Sequence, residues 1–187
     1  MRRGLLLLTL MGLAWAPAPG ADPVSPQLRQ ELGAALDQPA PTPDRFSRQV
    51  WFKDYMTRLR TFVPDRGRRR RITAMIFEEA RRAEIPAGLV FALIQVESAF
   101  KRFALSSAGA RGLMQIMPFW REEIGRPKDN LFHPRTNLRY GCTILHHYLL
   151  REDGDILRAL AAYNGSTGRT IYPRKIYRAY RRRWAGE

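Results

Sequence analysis

Between Gly88 and Phe100 the chain reads GLVFALIQVESAF, an apolar run with one ionisable side chain, Glu97. At about 3.6 residues per turn, Leu89, Leu93 and Val96 line one helix face, with Val90 and Ile94 beside them. This predicts a mostly buried helix with a carboxyl group near its C-terminal end. Burial strips solvation from the charged form, so the pKa of Glu97 rises and the group stays protonated near neutrality. A protonated carboxylic acid is what glycoside cleavage needs on the leaving-group side. The competing reading of these residues is a helix-end glutamate turned to water together with Ser98.

The other periodic segments are helical too. Ile72, Met75, Ile76, Ala80 and Ala83 give an inner face for a helix over 72–84, with Glu78, Glu79, Arg81 and Arg82 outside. Pro86 opens the Glu97 helix, because proline suits a first turn. Pro118 begins a helix with Phe119, Trp120 and Ile124 that ends near Gly125. A long helix over 135–151 carries Leu138, Cys142, Leu145 and Leu149, flanked by Tyr148; another runs from Gly154-Asp155 to Tyr163. The last, over 172–184, sets Ile176, Tyr180 and Trp184 on one side. Asp44 can cap a helix over 45–62, whose apolar stripe of Phe46, Val50, Tyr55, Leu59 and Phe62, with Trp51 and Phe52, is expected to pack on the core. No segment alternates over strand length, so the expected class is all-α, with a short irregular hairpin at 106–112.

The N-terminus differs from the rest. Arg2-Arg3, an apolar run over 5–15 and small residues with prolines to Ala21 form the pattern of a secretory signal peptide. The expected organisation is a signal peptide over 1–21, cleaved near Gly20 or Ala21, and a Pro-rich linker over 22–44 with a short helix at 27–36. A helical extension ending in the basic run 66–71 then leads to the main domain over 72–187. Export implies a periplasmic location. Cys142 is the single cysteine, so no intramolecular disulfide forms, and a buried apolar role is its default. His133, His146 and His147 have no metal-site spacing, and no metal or cofactor is expected. The net charge of +15, or +13 once Arg2 and Arg3 leave with the signal, draws the protein to polyanions.

After Glu97-Ser98 come Ser106-Ser107-Ala108-Gly109-Ala110-Arg111-Gly112-Leu113-Met114-Gln115 and then Ala161-Ala162-Tyr163-Asn164. In that order and spacing these motifs resemble the soluble-type SLT domain of the lytic transglycosylases, a goose-lysozyme-like superfamily that cleaves bacterial peptidoglycan. The resemblance covers roughly residues 72–180 and implies a lysozyme-like helical domain. Two-carboxylate hydrolysis needs a second Asp or Glu about 5–5.5 Å away for a nucleophile, or roughly 6.5–9.5 Å for a base. None lies between Ser98 and Arg121; Glu122 and Glu123 share a separate polar face, and Asp129, Glu152, Asp153 and Asp155 read as loop and cap residues. A single-acid mechanism fits better.

The resemblance implies that Glu97 protonates the oxygen between N-acetylmuramic acid and N-acetylglucosamine. It then acts as base toward the muramoyl C6 hydroxyl, giving a 1,6-anhydromuramoyl end with no water consumed. The 2-acetamido group would stabilise the oxocarbenium-like state. The resemblance also implies that Ser106 lies near the acetamido and C6 groups, that Gln115 and Asn164 contact sugar, and that the Tyr163 hydroxyl orients Glu97. Gln115 can both donate and accept. Met114 and Met117 offer an apolar wall to a sugar ring or pack in the core. The later tyrosine of the family is best matched by Tyr172, with Tyr177 as the other candidate. Without the resemblance, Tyr163-Asn164 reads as a helix end capped by Asn. Gly165-Ser166-Thr167-Gly168 departs from the family's usual Ala-Gly-Pro-Gly, and His133 stands where Asp is common, at a helix-opening turn.

Other function classes are a hydrolytic muramidase, a peptidoglycan-binding module without catalysis, and a nucleic-acid binder suggested by Tyr172, Tyr177, Tyr180 and Trp184 among arginines. The export pattern and the residues around Glu97 argue against nucleic acid. The expected partners are peptidoglycan glycan strands and, through the basic surface, cell-envelope machinery.

Overall fold

The computed structural model describes residues 45–185. The signal peptide, the linker, the 27–36 helix and the Asp44 cap lie outside the described residues. Helix α1 (Arg45–Arg58) runs into a 3-10 turn (Leu59–Thr61) and is followed by α2 (Arg66–Arg82) and α3 (Ala87–Ser98). After a long irregular segment come a single turn, α4 (Trp120–Glu123), then α5 (Pro134–Arg151), α6 (Ile156–Tyr163) and α7 (Ile171–Ala179), which tightens into a π-helical turn (Tyr180–Trp184). Among the described residues there is no extended strand. Isolated bridges pair Leu105 with Arg111 and Arg111 with Ile116, so the expected all-α class and its irregular hairpin both stand. No helix of the described residues is long and apolar enough to cross a membrane.

The centre of the domain is α3. From Ala87 to Ile94 every residue is buried, so the helix is enclosed all round rather than along one stripe. Helices α2 and α7 and the π-helical turn pack against it. Gly88 permits the closest approach: a Cβ there would come within 2.4 Å of the Trp184 carbonyl oxygen and 2.7 Å of the Tyr55 hydroxyl. The Tyr55 hydroxyl donates to that carbonyl at 2.7 Å, and the Trp184 indole donates to Gln95 Oε1 at 2.8 Å. The Trp184 ring lies nearly parallel to Phe91, with centroids 4.9 Å apart, and to Tyr55 at 5.7 Å. Tyr55 and Leu59 are fully buried, so α1 packs on the core as its aromatic stripe predicts.

Three expectations need correction. Helix α2 begins at Arg66, not Ile72, so the basic run is its first turn and a half. The Asp65 carboxylate accepts the Arg68 N–H at 2.6 Å and caps the helix, and arginine's high propensity carries it on despite the unfavourable dipole. Glu79 and Arg82 are also not outside: both are buried and paired at 2.7 Å. Arg82 also donates to Thr143 Oγ1 at 2.7 Å, and Arg139 reaches Glu79 at 3.1 Å. Periodicity marked them as surface because both are charged; only the packing of α2 on α5 lets each satisfy the other. The helix after Pro118 is one turn long, and Phe119 is exposed.

Removing one member of a buried pair strands the other charge, which costs about 3–5 kcal/mol. Glu79→Ala is therefore expected to destabilise the domain by that order. Glu78→Ala, which loses only the surface pair with Arg135, should cost about 0–1 kcal/mol. Chemical denaturation of the two variants side by side checks the difference.

Candidate active site

Glu97 sits in the last turn of α3, where the helix is ended by two non-glycine residues in the left-handed region, Ala99 (φ 48°) and Phe100 (φ 62°). Such backbone is costly and persists where packing over-determines it. Here the Phe100 ring is buried against Phe62, Phe91 and Trp184, with centroids 5.2, 6.1 and 5.9 Å away. The sharp stop lets the chain leave α3 at once while the carboxyl group stays at the edge of the core.

The segment after it is irregular, open to solvent over much of 101–109 and enclosed from Ala110 to Met117, so the carbonyl groups of the second part need partners. Four in succession find side chains. Asn137 Nδ2 donates to Arg111 O at 2.8 Å, and Gln115 Nε2 to Gly112 O at 2.9 Å. Ser98 Oγ donates to Leu113 O at 2.7 Å, and the Tyr163 hydroxyl to Met114 O at 2.9 Å. Asn137 also accepts the Met114 N–H at 2.8 Å and donates to Leu131 O at 2.9 Å. Gly112 (φ 77°) is fixed by the same contact, since a Cβ there would fall 2.5 Å from Asn137 Nδ2.

Several assignments change with this geometry. Ser98 is buried and bonded, not turned to water. Tyr163 does not hydrogen-bond Glu97; its hydroxyl is taken by Met114 O, although it lies close enough for the Glu97 charge to raise its pKa. The hydroxyl that meets Glu97 Oε1 belongs to Tyr172, in the first turn of α7. Tyr177 is on the exposed side of α7 and drops out. Met114 is fully buried beside Gly141 and is a core residue, whereas Met117 is only partly buried. Both Gln115 donor hydrogens are used, one on Gly112 O and one on Ala104 O at 3.2 Å, which leaves its carbonyl oxygen as an acceptor. Ser106 Oγ accepts the Ala110 N–H at 3.0 Å and keeps its proton for donation. Asn164 caps α6 and donates to Ser166 Oγ at 3.2 Å. His133 is the residue at the N-terminal boundary of α5, as its turn position suggests.

Sequence reasoning missed Asn137. A polar residue one turn before Gly141 on the buried side of α5 was the available signal, since buried amides need partners.

Burial pushes the Glu97 pKa up to about 7, and the Tyr172 hydrogen bond opposes the rise because it favours the carboxylate. No neighbouring carboxylate is among the causes. Tyr172 and Tyr163 are themselves raised well above the ordinary phenol value, first by burial and then by the Glu97 charge, so both stay protonated and donate. The result is one carboxyl group that exchanges its proton near neutrality. Among the described residues no cluster of His, Cys, Asp and Glu could hold a metal ion.

A family model, the transglycosylase SLT domain, matches residues 74–183, more than half of the chain. The chain belongs to the transglycosylase SLT domain family. Protein IpgF of Shigella sonnei is 31% identical over 136 residues, covering 65% of this chain and 86% of its own. Membrane-bound lytic murein transglycosylase C of Glaesserella parasuis serovar 5 (strain SH0165) is 32% identical over 120 residues, or 56% of this chain and 33% of its own. The lytic transglycosylase Slt of Pseudomonas aeruginosa, solved as an inactive mutant, is 32% identical with a TM-score of 0.46, over 55% of this chain and 17% of that one. The chain spans about a third or less of three curated relatives it matches. In this SLT domain the matched region contains all the polar contacts that fix the 111–114 carbonyls.

A raised pKa is also a statement about stability. Between the ordinary carboxyl value of 4.5 and about 7 the folded protein holds a proton on Glu97 that the unfolded chain releases. The stability this gives is full below 4.5 and is lost as pH rises through 7. Relative to Glu97→Gln, wild type should therefore lose on the order of 3 kcal/mol from about pH 4 to about pH 8, measured by denaturation at each pH.

Proposed function

We propose that this domain is a peptidoglycan lytic transglycosylase in which Glu97 alone serves as general acid and then general base. The observation that carries the reading is a single carboxyl group, raised to about 7 by burial and facing a tyrosine hydroxyl, with no second carboxylate among the causes of its shift. Membership of the SLT family and the murein transglycosylase name of a relative support the substrate class.

Protonated Glu97 gives its proton to the glycosidic oxygen as the bond from muramoyl C1 breaks. The 2-acetamido oxygen shields the developing positive charge. The Glu97 carboxylate then takes the proton of the C6 hydroxyl as O6 bonds to C1. The 1,6-anhydro ring closes, Glu97 is protonated again, and no water enters the balance. Tyr172 stabilises the carboxylate between the two steps by donating to Oε1. Ser106 keeps a hydroxyl proton, and Gln115 an amide oxygen, for the sugar; Met117 lines the ring, and Asn164 offers its remaining amide oxygen. Tyr163 acts at one remove, by holding Met114 O and so the loop that carries Gln115.

The setting we infer is the bacterial cell envelope, reached by export, with the signal peptide over 1–21 removed in the periplasm and the linker over 22–44 left as the start of the mature chain. Mass spectrometry of soluble products from digested sacculi tests the reaction. Wild type should release anhydromuropeptides, and Glu97→Gln should release at least about 1,000-fold less, the usual scale for removing a central acid–base group. Products heavier by one water, with reducing muramic ends, would mean hydrolysis instead; binding to sacculi without release would mean a binding module.

A further inference from the structure

Helix α1 and the first turns of α2 enclose a groove of about 690 Å³ on a different part of the domain from Glu97. Phe52 and Met56 supply its apolar floor, and Lys53, Arg60, Arg66 and Arg70 surround it. All four cations are exposed, and none makes an ion pair among the described residues. Residues 51–71 hold eight cations against two carboxylates, and both carboxylates are engaged: Asp54 with Arg58 at 2.6 Å, and Asp65 with the Arg68 N–H. The basic surface continues past the groove, where Arg181 and Arg182 line a second depression with Arg58.

We propose that this face docks on an anionic lipid membrane surface, with phosphate headgroups on the rim cations and upper acyl carbons against Phe52 and Met56. Charge complementarity selects an anionic partner. The arrangement selects a surface over a single ion. The four free cations stand around an apolar floor instead of converging, and Arg69 is already spent on the Val63 and Pro64 carbonyls, both at 2.8 Å. Long basic side chains that lay their stems on apolar surface and hold their heads at the headgroups suit an interface. A polyanion without apolar groups would use the charges and leave the floor idle.

The test is co-sedimentation of the mature chain, without the 1–21 signal peptide, with phosphatidylcholine vesicles, with and without about 30 mol% phosphatidylglycerol. Wild type should prefer the anionic vesicles. Arg60→Glu/Arg66→Glu/Arg70→Glu should weaken partitioning by about 100-fold, each basic side chain near such a surface being worth about fivefold. Arg174→Glu/Lys175→Glu/Arg178→Glu, an equal charge change on the exposed face of α7, should cost less than about threefold. Circular dichroism and thermal melts of both variants confirm that they fold. Equal losses from the two triple variants would assign the binding to net charge and overturn the proposal. So would no preference for anionic vesicles, or displacement by about 10 mM inorganic phosphate, which would mark a free-anion site. Groove-dependent binding to lipid-free sacculi, with vesicle binding unchanged in the groove variant, would overturn it in favour of wall polymer.

Discussion

A carboxyl group at the end of a helix enclosed on all sides cannot ionise as it would in water, and this constraint orders the rest of the domain. Helix α3 has no solvent face from Ala87 to Ile94, so its last turn is the first place where a polar side chain can emerge. Glu97 takes that place. The Glu97 proton feels this enclosure in two ways: burial favours the neutral carboxyl, and α7 delivers the Tyr172 hydroxyl that favours the charged one. Stability and acidity share one cause. The packing that holds the fold together is also what raises the carboxyl pKa to about 7.

The second requirement falls on the irregular backbone of 110–117, which is enclosed by the helices around it. A buried loop is expensive unless its carbonyls are bonded, and here Asn137, Gln115, Ser98 and Tyr163 bond four consecutive ones. These side chains come from α3, α5, α6 and the loop itself. The loop position is thus fixed by three separate helices. The left-handed backbone at Ala99, Phe100 and Gln115 (φ 51°) lies along the same path. Its cost is offset by Phe100 in the aromatic cluster and by the Gln115 amide on two carbonyls.

Much of this was legible in the residue order. The periods of 89–96, 138–149 and 176–184 placed α3, α5 and α7, and the apolar setting of Glu97 gave the direction of its pKa. What the sequence hid were pairings across elements. Glu79 and Arg82 looked like surface because periodicity cannot know that Thr143 and Arg139 wait on α5. The family pattern sets the Tyr163 hydroxyl near Glu97 and gives Tyr172 only as the later family tyrosine; the packing of α7 on α3 brings the Tyr172 hydroxyl to the carboxylate instead. Asn137 was silent because an amide on a helix carries no sign of the three backbone groups it will bind.

The proposed chemistry rests on one proton and on what holds it there. Carbon-13 NMR of the selectively labelled Glu97 carboxyl, followed from acid to alkaline pH in wild type and in Tyr172→Phe, measures it without reference to substrate. A midpoint near 7 in wild type, moving upward when the tyrosine hydroxyl is removed, is the predicted result, because that hydroxyl stabilises the charged form. A midpoint near the ordinary 4.5, or one that falls in Tyr172→Phe, would contradict the account: Glu97 would then be ionised at neutrality and unable to act first as an acid.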